Sequence, residues 1–437
     1  MKFNDLREFE SNSIIETDLC IIGSGPAGLS IAKEFIGTEV KVWVVESGGL
    51  KEEADTQSLY EIESVGFPRV MQQNLVRNRI FGGSSHTWMG RCTPFDPIDF
   101  QQRDWVPYSG WSIDLKQLDS YLDRAREILG LESNCYDERL WKLFKVSPPK
   151  KALDLKLLKP QFWQFSKVSR DNKEPMRFGS HFPTDAPNIN FLLHANVTHL
   201  NTNQQGTRLE SVEVSTLEKK RALIKAKAVV LCCGGIENAR LLLASNRILP
   251  AGVGNQNDTV GRFLMDHVGS TIGSYEPKVA QKVQGRFDAY WLKDGEKRSF
   301  YLHGVALSPE LQEKEQLLNA AAFLLPTAAQ DDPWTALKRL KPSIKQKKLT
   351  KSAVQDALTV LSQPLTMLHG VYRLWVKHRP PIEKNESVII YSLVEQIPDR
   401  ESRVTLSDQK DALGMPLSKL DWKISDLERQ TIERLAH

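Results

Sequence analysis

A chain of 437 residues is longer than one ordinary domain, and this length predicts two or three. Its hydrophobic fraction of 41% and charged fraction of 26% are those of a globular protein that can bury large cores. The net charge of +4 is small for this length and gives no argument for binding nucleic acid.

The N-terminal segment MKFNDLREFESNS is charged and contains no apolar run, so no signal peptide is expected. No run of about eighteen apolar residues occurs either, and so we predict no transmembrane helix and a cytoplasmic location. The five cysteines include no CxxC pair, and the nine histidines show no metal-ligand spacing. We therefore expect neither a metal site nor a disulfide framework, and interpret Cys20, Cys232 and Cys233 as small core residues in a reducing compartment.

The first chemical motif lies within the first fifty residues. Residues 17–22 (TDLCII) predict a buried strand, and the glycine-rich turn GSGPAG at 23–28 follows directly. The next segment has the apolar period of a helix, and residues 40–45 (VKVWVV) predict a second strand that ends on Glu46. This order of strand, turn, helix, strand and acid is typical of a dinucleotide-binding unit.

Each position of this unit has a physical reason. Gly23 allows the tight turn, Gly25 lets backbone N–H groups approach the pyrophosphate, and Gly28 lets helix and strand pack closely. The N-terminus of the helix adds partial positive charge for the phosphates. Glu46, about twenty residues further on, would accept hydrogen bonds from ribose hydroxyls and repel the 2′-phosphate of NADP.

A second glycine loop occupies residues 81–91 (FGGSSHTWMGR). Small residues and hydroxyls allow a backbone to lie flat against a ring system or a pyrophosphate. A purely structural loop of the same composition remains an alternative.

These motifs resemble the glucose–methanol–choline (GMC) oxidoreductases, which depend on FAD. The similar stretches are the opening unit, GGSSHTWMGR, the segment DWVPYSGWSIDLKQL from residue 104, ANVT at 195–198, AKAVVLCCGG at 226–235 and VGRFLMDH at 260–267. The segment from residue 104 is similar to the sugar-dehydrogenase branch, and a weaker likeness returns at 402–422. The resemblance implies an α/β fold, in which a discontinuous FAD-binding Rossmann-like domain (12–160 and 190–272) accompanies an α+β substrate domain (161–189 and 273–437).

The resemblance also implies that the second loop contacts the flavin and that the backbone at Val197 meets the adenine. With the first loop, the expected cofactor contacts are Gly23, Ser24, Gly25, Pro26, Ala27, Gly28, Glu46, Ser47, Gly83, Ser84, Trp88, Gly90 and Val197. Some sugar-oxidising members attach the flavin covalently to a histidine of this loop. When this loop is aligned with the family pattern on Trp88, the position of that histidine is Thr87, and His86 comes one residue too early. Non-covalent FAD is therefore favoured, and covalent attachment through His86 is the alternative.

One departure from the family pattern concerns catalysis. Family members close with a segment that carries a histidine, paired with a second histidine or an asparagine, over the reactive edge of the flavin. We find no such segment before His437 and expect it beyond that residue, which predicts a fragment of a longer protein. A naturally short homologue is the alternative, and in either case we expect this chain by itself to show little turnover.

The function implied by the resemblance is oxidation of a CH–OH group in a sugar, polyol or other alcohol, with hydride transfer to flavin N5. Oxygen, a quinone and a protein all stay open as electron acceptor. A non-catalytic FAD-binding protein is the rival hypothesis.

A basic segment lies outside these motifs. Residues 338–351 contain seven lysines and arginines, and an apolar stretch follows at 357–376 (ALTVLSQPLTMLHGVYRLWV). A weak membrane-surface contact through 338–376 is one interpretation, and a solvated basic loop beside a covering helix is the other. Beyond it, the β-branched patterns at 385–395 and 402–406 predict antiparallel strands.

Overall fold

A computed structural model describes residues 2–69, 73–148, 153–166, 176–183, 185–276, 279, 283, 287, 289–294, 297–345, 350–377 and 379–437. The chain divides into two compact units. The first unit comprises Met1–Met89, Met176–Met265 and Pro398–Lys423, and the second comprises Gly90–Pro175, Asp266–Ile397 and Ile424–His437.

The described strands are β1 (Lys2–Asp5), β2 (Ser13–Ile22), β3 (Val42–Val45), β4 (Ile62–Gly66), β5 (Arg91–Cys92), β6 (Leu158–Phe165), β7 (Ile189–Leu193), β8 (Asn196–Thr202), β9 (Leu209–Ser215), β10 (Arg221–Leu231), β11 (Val268–Tyr275), β12 (Ala289–Asp294), β13 (Lys297–Leu307), β14 (Ala320–Ala328), β15 (Asn385–Val394), β16 (Arg403–Lys410) and β17 (Pro416–Trp422). The described α-helices are α1 (Pro26–Glu34), α2 (Ala54–Ser58), α3 (Leu115–Leu129), α4 (Arg139–Leu143), α5 (Gly235–Ala244), α6 (Pro309–Glu315), α7 (Pro333–Lys345), α8 (Lys351–Leu361), α9 (Pro364–Trp375) and α10 (Asp426–Ala436).

The first unit is built on a seven-stranded sheet in the order β1-β7-β3-β2-β10-β9-β8. Neighbours from β1 to β10 are parallel, whereas β9 pairs antiparallel with both β10 and β8. Strands of a parallel sheet are covered on both faces, which explains why β3 and the last four residues of β2, Leu19–Ile22, are continuous apolar runs. Cys20, Ile21 and Val44 are fully buried at its centre.

A smaller sheet of the first unit has the order β16-β17-β4, with β17 antiparallel to β16 and parallel to β4. Helix α5 packs on β16 and β17. The small sheet therefore covers the helix that follows β10, and Ala239 of α5 is buried against Val404 and Leu420.

The second unit contains an antiparallel sheet in the order β11-β15-β14-β13-β6-β5, with β12 paired to β13. Helix α10 packs on β11, β14 and β15. A cluster of buried aromatic rings anchors β6 and β13 to the short helix α4. Its members are Trp141, Phe144, Phe162, Tyr290 and Tyr301.

The predicted α/β fold class is confirmed, and so are the antiparallel strands near 385–395 and 402–406, which are β15 and β16. The strand predicted at 40–45 begins only at Val42, because Val40 lies in a turn where its N–H donates to the Thr38 hydroxyl at 3.3 Å. A search of the described residues for helices able to cross a membrane finds none.

The two compact units and the predicted domains are different divisions of the chain. Residues 90–160 belong to the second unit, and residues 398–423 belong to the first. The functional assignment of an FAD-binding and a substrate domain stays a prediction.

Candidate cofactor-binding site

The candidate site lies at the carboxyl edge of the parallel sheet in the first unit. Ile22 of β2 pairs with both Val45 of β3 and Leu231 of β10, so these three strands end in the same row. The residues that follow them, including Gly23 and Glu46, therefore reach the same edge, where open α/β sheets bind their ligands. A cavity of about 430 Å³ opens there, and all its lining residues belong to the first unit.

The first glycine turn is fixed by close backbone contacts. Gly23 has φ +104°, and a Cβ at this position would lie 2.6 Å from the carbonyl oxygen of Cys232. A Cβ on Gly28 would lie 2.0 Å from the carbonyl oxygen of Gly23. Any side chain at either position would collide with backbone, so both glycines are required by packing.

Gly25 differs from these two glycines because it faces open space. It forms the N-cap of α1 with φ −71°, and a Cβ there would have Gly83 Cα, at 4.0 Å, as its nearest neighbour. Pro26 supplies the first residue of the helix, a position where its missing N–H costs nothing. The N-terminus of α1 thus presents backbone N–H groups and the positive end of the helix dipole at the cavity.

The second glycine loop meets the first. Gly83 has φ +56°, and a Cβ there would lie 2.7 Å from Gly25 Cα. The backbone N–H of Gly82 donates to the carbonyl oxygen of Ser24 at 3.1 Å, and residues 83–86 form one turn of 3₁₀ helix. Two segments nearly sixty residues apart therefore form one continuous backbone surface.

Glu46 closes one side of the cavity and is almost fully buried. Its carboxylate accepts hydrogen bonds from the backbone N–H of Ser24 at 3.1 Å, the Ser24 hydroxyl at 2.5 Å and the N–H of Gly48 at 2.9 Å. Burial raises the pKa of Glu46 above its usual value, and these hydrogen bonds offset only part of that effect. The Ser47 hydroxyl also donates to Oε1, at 3.3 Å, and rotation of this hydroxyl would free one lone pair for a further donor.

Residues 195–197 line the opposite part of the cavity. Ala195 is tied to the Glu46 backbone, since its N–H donates to the Glu46 carbonyl oxygen at 2.9 Å. The Asn196 amide nitrogen donates to Ser215 O at 3.1 Å, and its buried Oδ1 accepts no hydrogen bond from the described residues. A buried acceptor without a partner needs an explanation, and this one belongs to a residue that lines the cavity.

The structure brings together most of the sequence-predicted contacts but not all. Those that line the cavity are Gly23, Gly25, Pro26, Ala27, Glu46, Ser47, Gly83, Ser84 and Val197. Ser24 and Gly28 lie behind this surface and hold it in place. Trp88 donates from its indole N–H to Met176 O at 2.7 Å, and Gly90 belongs to the second unit, so neither lines the cavity. The cofactor-binding role of each residue stays a prediction.

A group of charged residues that the sequence analysis missed forms another side of the cavity. We call it the charged wall. Its charged members, packed around the Tyr60 ring, are Arg77, Arg79, Glu237, Arg240 and Asp411, and all but Arg77 line the cavity. Glu237, in the first turn of α5, contacts Arg77 at 3.0 Å, Arg79 at 2.8 Å and Arg240 at 3.3 Å. The guanidinium carbons of Arg77 and Arg79 each lie 4.3 Å from the centre of the Tyr60 ring.

Arg240 completes the charged wall. It contacts Asp411 at 2.6 Å with both side chains only 3% exposed, and its Nε donates to Pro416 O at 2.7 Å. Burial raises the pKa of Glu237, but the arginines outweigh this effect and hold the pKa below its usual value. The spacing of Glu237 and Arg240, one helical turn apart on an otherwise apolar helix, is the sequence signal that could have indicated a buried pair.

The cysteines and His86 show no sign of reactivity. All five cysteines are free, and burial raises the pKa of Cys20 and of Cys233 to about 12, which disfavours the thiolate. Cys20 is a core residue as predicted, whereas Cys232 and Cys233 are half-buried and line the cavity. His86 places its Nε2 3.0 Å from the carbonyl oxygen of Phe81. Within the described part of the chain, no group of three or more His, Cys, Asp or Glu residues is placed to hold a metal ion.

Comparisons with known proteins show similarity to one family. Residues 180–269 match the family model described as GMC oxidoreductase. The chain is 24% identical over 322 residues to 2-methyl-1,2-propanediol dehydrogenase of Mycolicibacterium austroafricanum, covering 60% of this chain and 57% of that protein. It is 26% identical over 229 residues to the fructose dehydrogenase large subunit of Gluconobacter japonicus, covering 51% of this chain and 34% of that protein. The family model and these relatives confirm the predicted resemblance to the GMC oxidoreductases.

The chain spans only part of these relatives, 57% of the first and 34% of the second. Among solved structures, it is similar to a formate oxidase of Aspergillus oryzae, with 15% identity, a TM-score of 0.48 and coverage of 98% of this chain and 80% of that one. It is also similar to pyridoxine 4-oxidase from Mesorbium loti, with 13% identity, a TM-score of 0.49 and coverage of 96% and 78%.

Proposed function

We propose that this chain binds FAD at the cavity of the first unit and that the whole protein oxidises a CH–OH group of a sugar, polyol or other alcohol. The observation that carries the proposal is the contact of two glycine turns over the N-terminus of α1, opposite a buried carboxylate. The cavity volume of about 430 Å³ falls within the range of roughly 300–1,000 Å³ that is usual for small-molecule sites.

The residues present fit the ADP half of the cofactor. The open space at Gly25 and the N-terminus of α1 would receive the pyrophosphate, because N–H donors and the helix dipole favour an anion. Glu46 would accept from ribose hydroxyls, and the free Oδ1 of Asn196 would accept from a donor on the adenine side. The helix N-terminus, Glu46 and Asn196 would thus each have a matching group on the ligand.

Bound FAD would supply the hydride acceptor of the reaction, and the protein would supply binding and orientation. The close contact of Gly83 with Gly25 fixes the second loop beside the first. Val197 and its neighbours would hold the adenine end, while the charged wall lines the side of the cavity near α5.

Non-covalent attachment is supported by the position of His86. Its Nε2 lies 3.0 Å from the Phe81 carbonyl oxygen, and His86 is not among the residues that line the cavity. Thr87 contacts Asn78 through its hydroxyl at 2.8 Å. Neither side chain is placed to bond to a ligand in the cavity.

A diol or sugar is the substrate class that the relatives favour. One similar protein is named as a dehydrogenase of 2-methyl-1,2-propanediol and another as a fructose dehydrogenase subunit. Because the chain spans 57% and 34% of these proteins, the activity is proposed for the whole protein. For the chain by itself we propose FAD binding with little turnover of alcohols.

The test is a titration of the purified chain with FAD, in which binding is measured by the quenching of flavin fluorescence. NADH, which shares the ADP half, serves as the matched ligand, and Glu46→Ala serves as the site variant. We expect saturable FAD binding that Glu46→Ala weakens by about tenfold or more, since a hydrogen bond to a charged group contributes roughly 1.5–3 kcal/mol. Acid precipitation should release the flavin into the supernatant. A folded chain that binds no FAD, or binds NADH more tightly, would refute the proposal.

A further inference from the structure

Helices α8 and α9 of the second unit expose an unusual number of large apolar side chains. We call this surface the apolar face, and its members are Val354, Leu358, Leu361, Leu365, Leu368, Tyr372 and Trp375. Leu361, Leu365 and Trp375 are 76%, 80% and 78% exposed. The spacing within each helix is three or four residues, so the side chains form one stripe along each helix rather than scattered positions.

The exposure follows from how the two helices pack. Gly370 contacts Trp334 of α7 so closely that a Cβ would lie 2.3 Å from its ring, and Arg373 is buried on the same side of α9. On α8 the buried residues are Ala353 and Asp356. Small and polar residues therefore face the protein while leucines and aromatic rings face outward, the reverse of an ordinary surface helix.

The charge around the apolar face is strongly one-sided. Residues 333–382 contain ten lysines and arginines but a single acid, Asp356. Asp356 is buried and neutralised by Arg339 at 2.5 Å, so it adds no exposed negative charge. Lys341, Lys351 and Lys377 are exposed. Lys347 and Lys348 of the basic segment, like His378, lie outside the described residues.

We propose that the apolar face docks on an anionic lipid surface, with α8 and α9 lying in the plane of the interface. Apolar side chains at this spacing with flanking lysines are the combination that binds at the boundary of headgroups and acyl chains. Trp375 and Tyr372 add amphipathic rings, which are favoured at that depth. The basic charge favours an anionic lipid surface over a second copy of this chain, because two basic surfaces would repel each other.

The test is co-sedimentation of the full chain with vesicles made of equal parts phosphatidylcholine and phosphatidylglycerol, compared with vesicles of phosphatidylcholine. The face variant is Leu361→Ser/Leu365→Ser/Leu368→Ser. The matched control is Leu155→Ser, a leucine 55% exposed elsewhere in the second unit. We expect binding to the anionic vesicles, weakened by added salt. The face variant should lower the partition constant by between about tenfold, if one of the three leucines inserts, and about a thousandfold, if all three do, because each leucine removed from lipid contact contributes roughly a factor of ten.

A second measurement locates the contact. Brominated lipids should quench tryptophan fluorescence in the parent chain, and Trp375→Phe should remove most of that quenching, whereas Trp111→Phe should not. Trp111 is the control because it is also an exposed tryptophan of the second unit.

Three outcomes would overturn the proposal. The first is failure of the folded chain to sediment with anionic vesicles. The second is binding that the face variant leaves unchanged. The third is self-association, seen as a concentration-dependent dimer in analytical ultracentrifugation that the face variant abolishes while vesicle binding is absent, which would assign the apolar face to a second copy.

Discussion

The sharpest test of the candidate site is Gly25→Ala. In the two turns, Gly23, Gly28 and Gly83 would each place a Cβ within 2.7 Å of backbone atoms of the protein itself, and Gly82 would place one 2.9 Å from the backbone nitrogen of Gly179. At Gly25 the nearest atom would be 4.0 Å away, an ordinary van der Waals distance. The substitution therefore adds a methyl group to the cavity without disturbing the fold.

The effect of Gly25→Ala on stability should be small. The backbone at φ −71° and ψ −176° is allowed for alanine. Alanine is a poorer N-cap than glycine, but it loses less conformational entropy on folding by about 0.4–1 kcal/mol, and the two effects oppose each other. We expect the free energy of unfolding without ligand to change by less than about 1 kcal/mol.

The effect on the ligand should be large. The new methyl group would stand where the pyrophosphate approaches the N–H groups of α1. Each hydrogen bond lost to a charged oxygen costs roughly 1.5–3 kcal/mol, so FAD affinity should fall about 10- to 100-fold. At an FAD concentration near 100 times the parent dissociation constant, the ligand stabilises the parent by about 2.7 kcal/mol but the variant by only about 0.4–1.4 kcal/mol.

The assay is urea unfolding with and without FAD for the parent, Gly25→Ala and Gly28→Ala. Gly28→Ala is the comparison because its Cβ would lie 2.0 Å from the Gly23 carbonyl oxygen, and it should lose stability even without ligand. Equal stabilisation of parent and Gly25→Ala by FAD would refute the placement of the pyrophosphate at Gly25. A large loss of stability in unliganded Gly25→Ala would refute the geometry of the turn.

Two further predictions concern the charged wall. Arg240→Ala leaves Asp411 buried without its partner and should lower the free energy of unfolding, measured in urea, by about 3–5 kcal/mol. Arg247→Ala breaks an exposed pair and should lower it by less than about 1 kcal/mol. Equal losses in the two variants would contradict this prediction. Burial raises the pKa of Glu237, but Arg79 and its neighbours lower it further, so the folded-state pKa lies below the unfolded value of 4.5. The stability that this ionised carboxylate contributes is complete above pH 4.5 and is lost as the pH falls through the folded-state pKa. The difference in free energy of unfolding between the parent and Glu237→Gln should therefore become smaller in acid. A difference that stays constant with pH would contradict this prediction.

The sequence predicted the glycine turns and Glu46 because their signals are local. Strand, turn, helix and acid follow one another within about thirty residues, and each has a distinct residue pattern. The second loop was also predicted, but only as a separate stretch. Its contact with Gly25 leaves no room for a Cβ on Gly83, which would lie 2.7 Å from Gly25 Cα, and no local pattern encodes this tertiary contact.

The charged wall as a whole could not be predicted either, because it depends on several tertiary contacts at once. Its members come from separate segments around residues 60, 77–79, 237–240 and 411, and only the spacing of Glu237 and Arg240 gives a local signal of burial. Charged residues are mostly exposed in proteins. Because the sequence does not show which of these charges pair with one another, it gives no reason to place them inside. Only the packing of α5 against the small sheet brings Arg240 to Asp411.

The charged wall also completes the electrostatics of the site. It contains three arginines against two carboxylates, so it has a net positive charge, and Arg79 is close enough to Glu46 to lower the pKa of that carboxyl. One side of the cavity is thus positive through this wall and the N-terminus of α1, while Glu46 provides an acceptor on another side. A ligand that matches this polarity carries an anionic group and hydroxyl donors in the same molecule. A dinucleotide has both, in its pyrophosphate and its ribose, which is why the proposal rests on the cavity as a whole and not on the glycine motif alone.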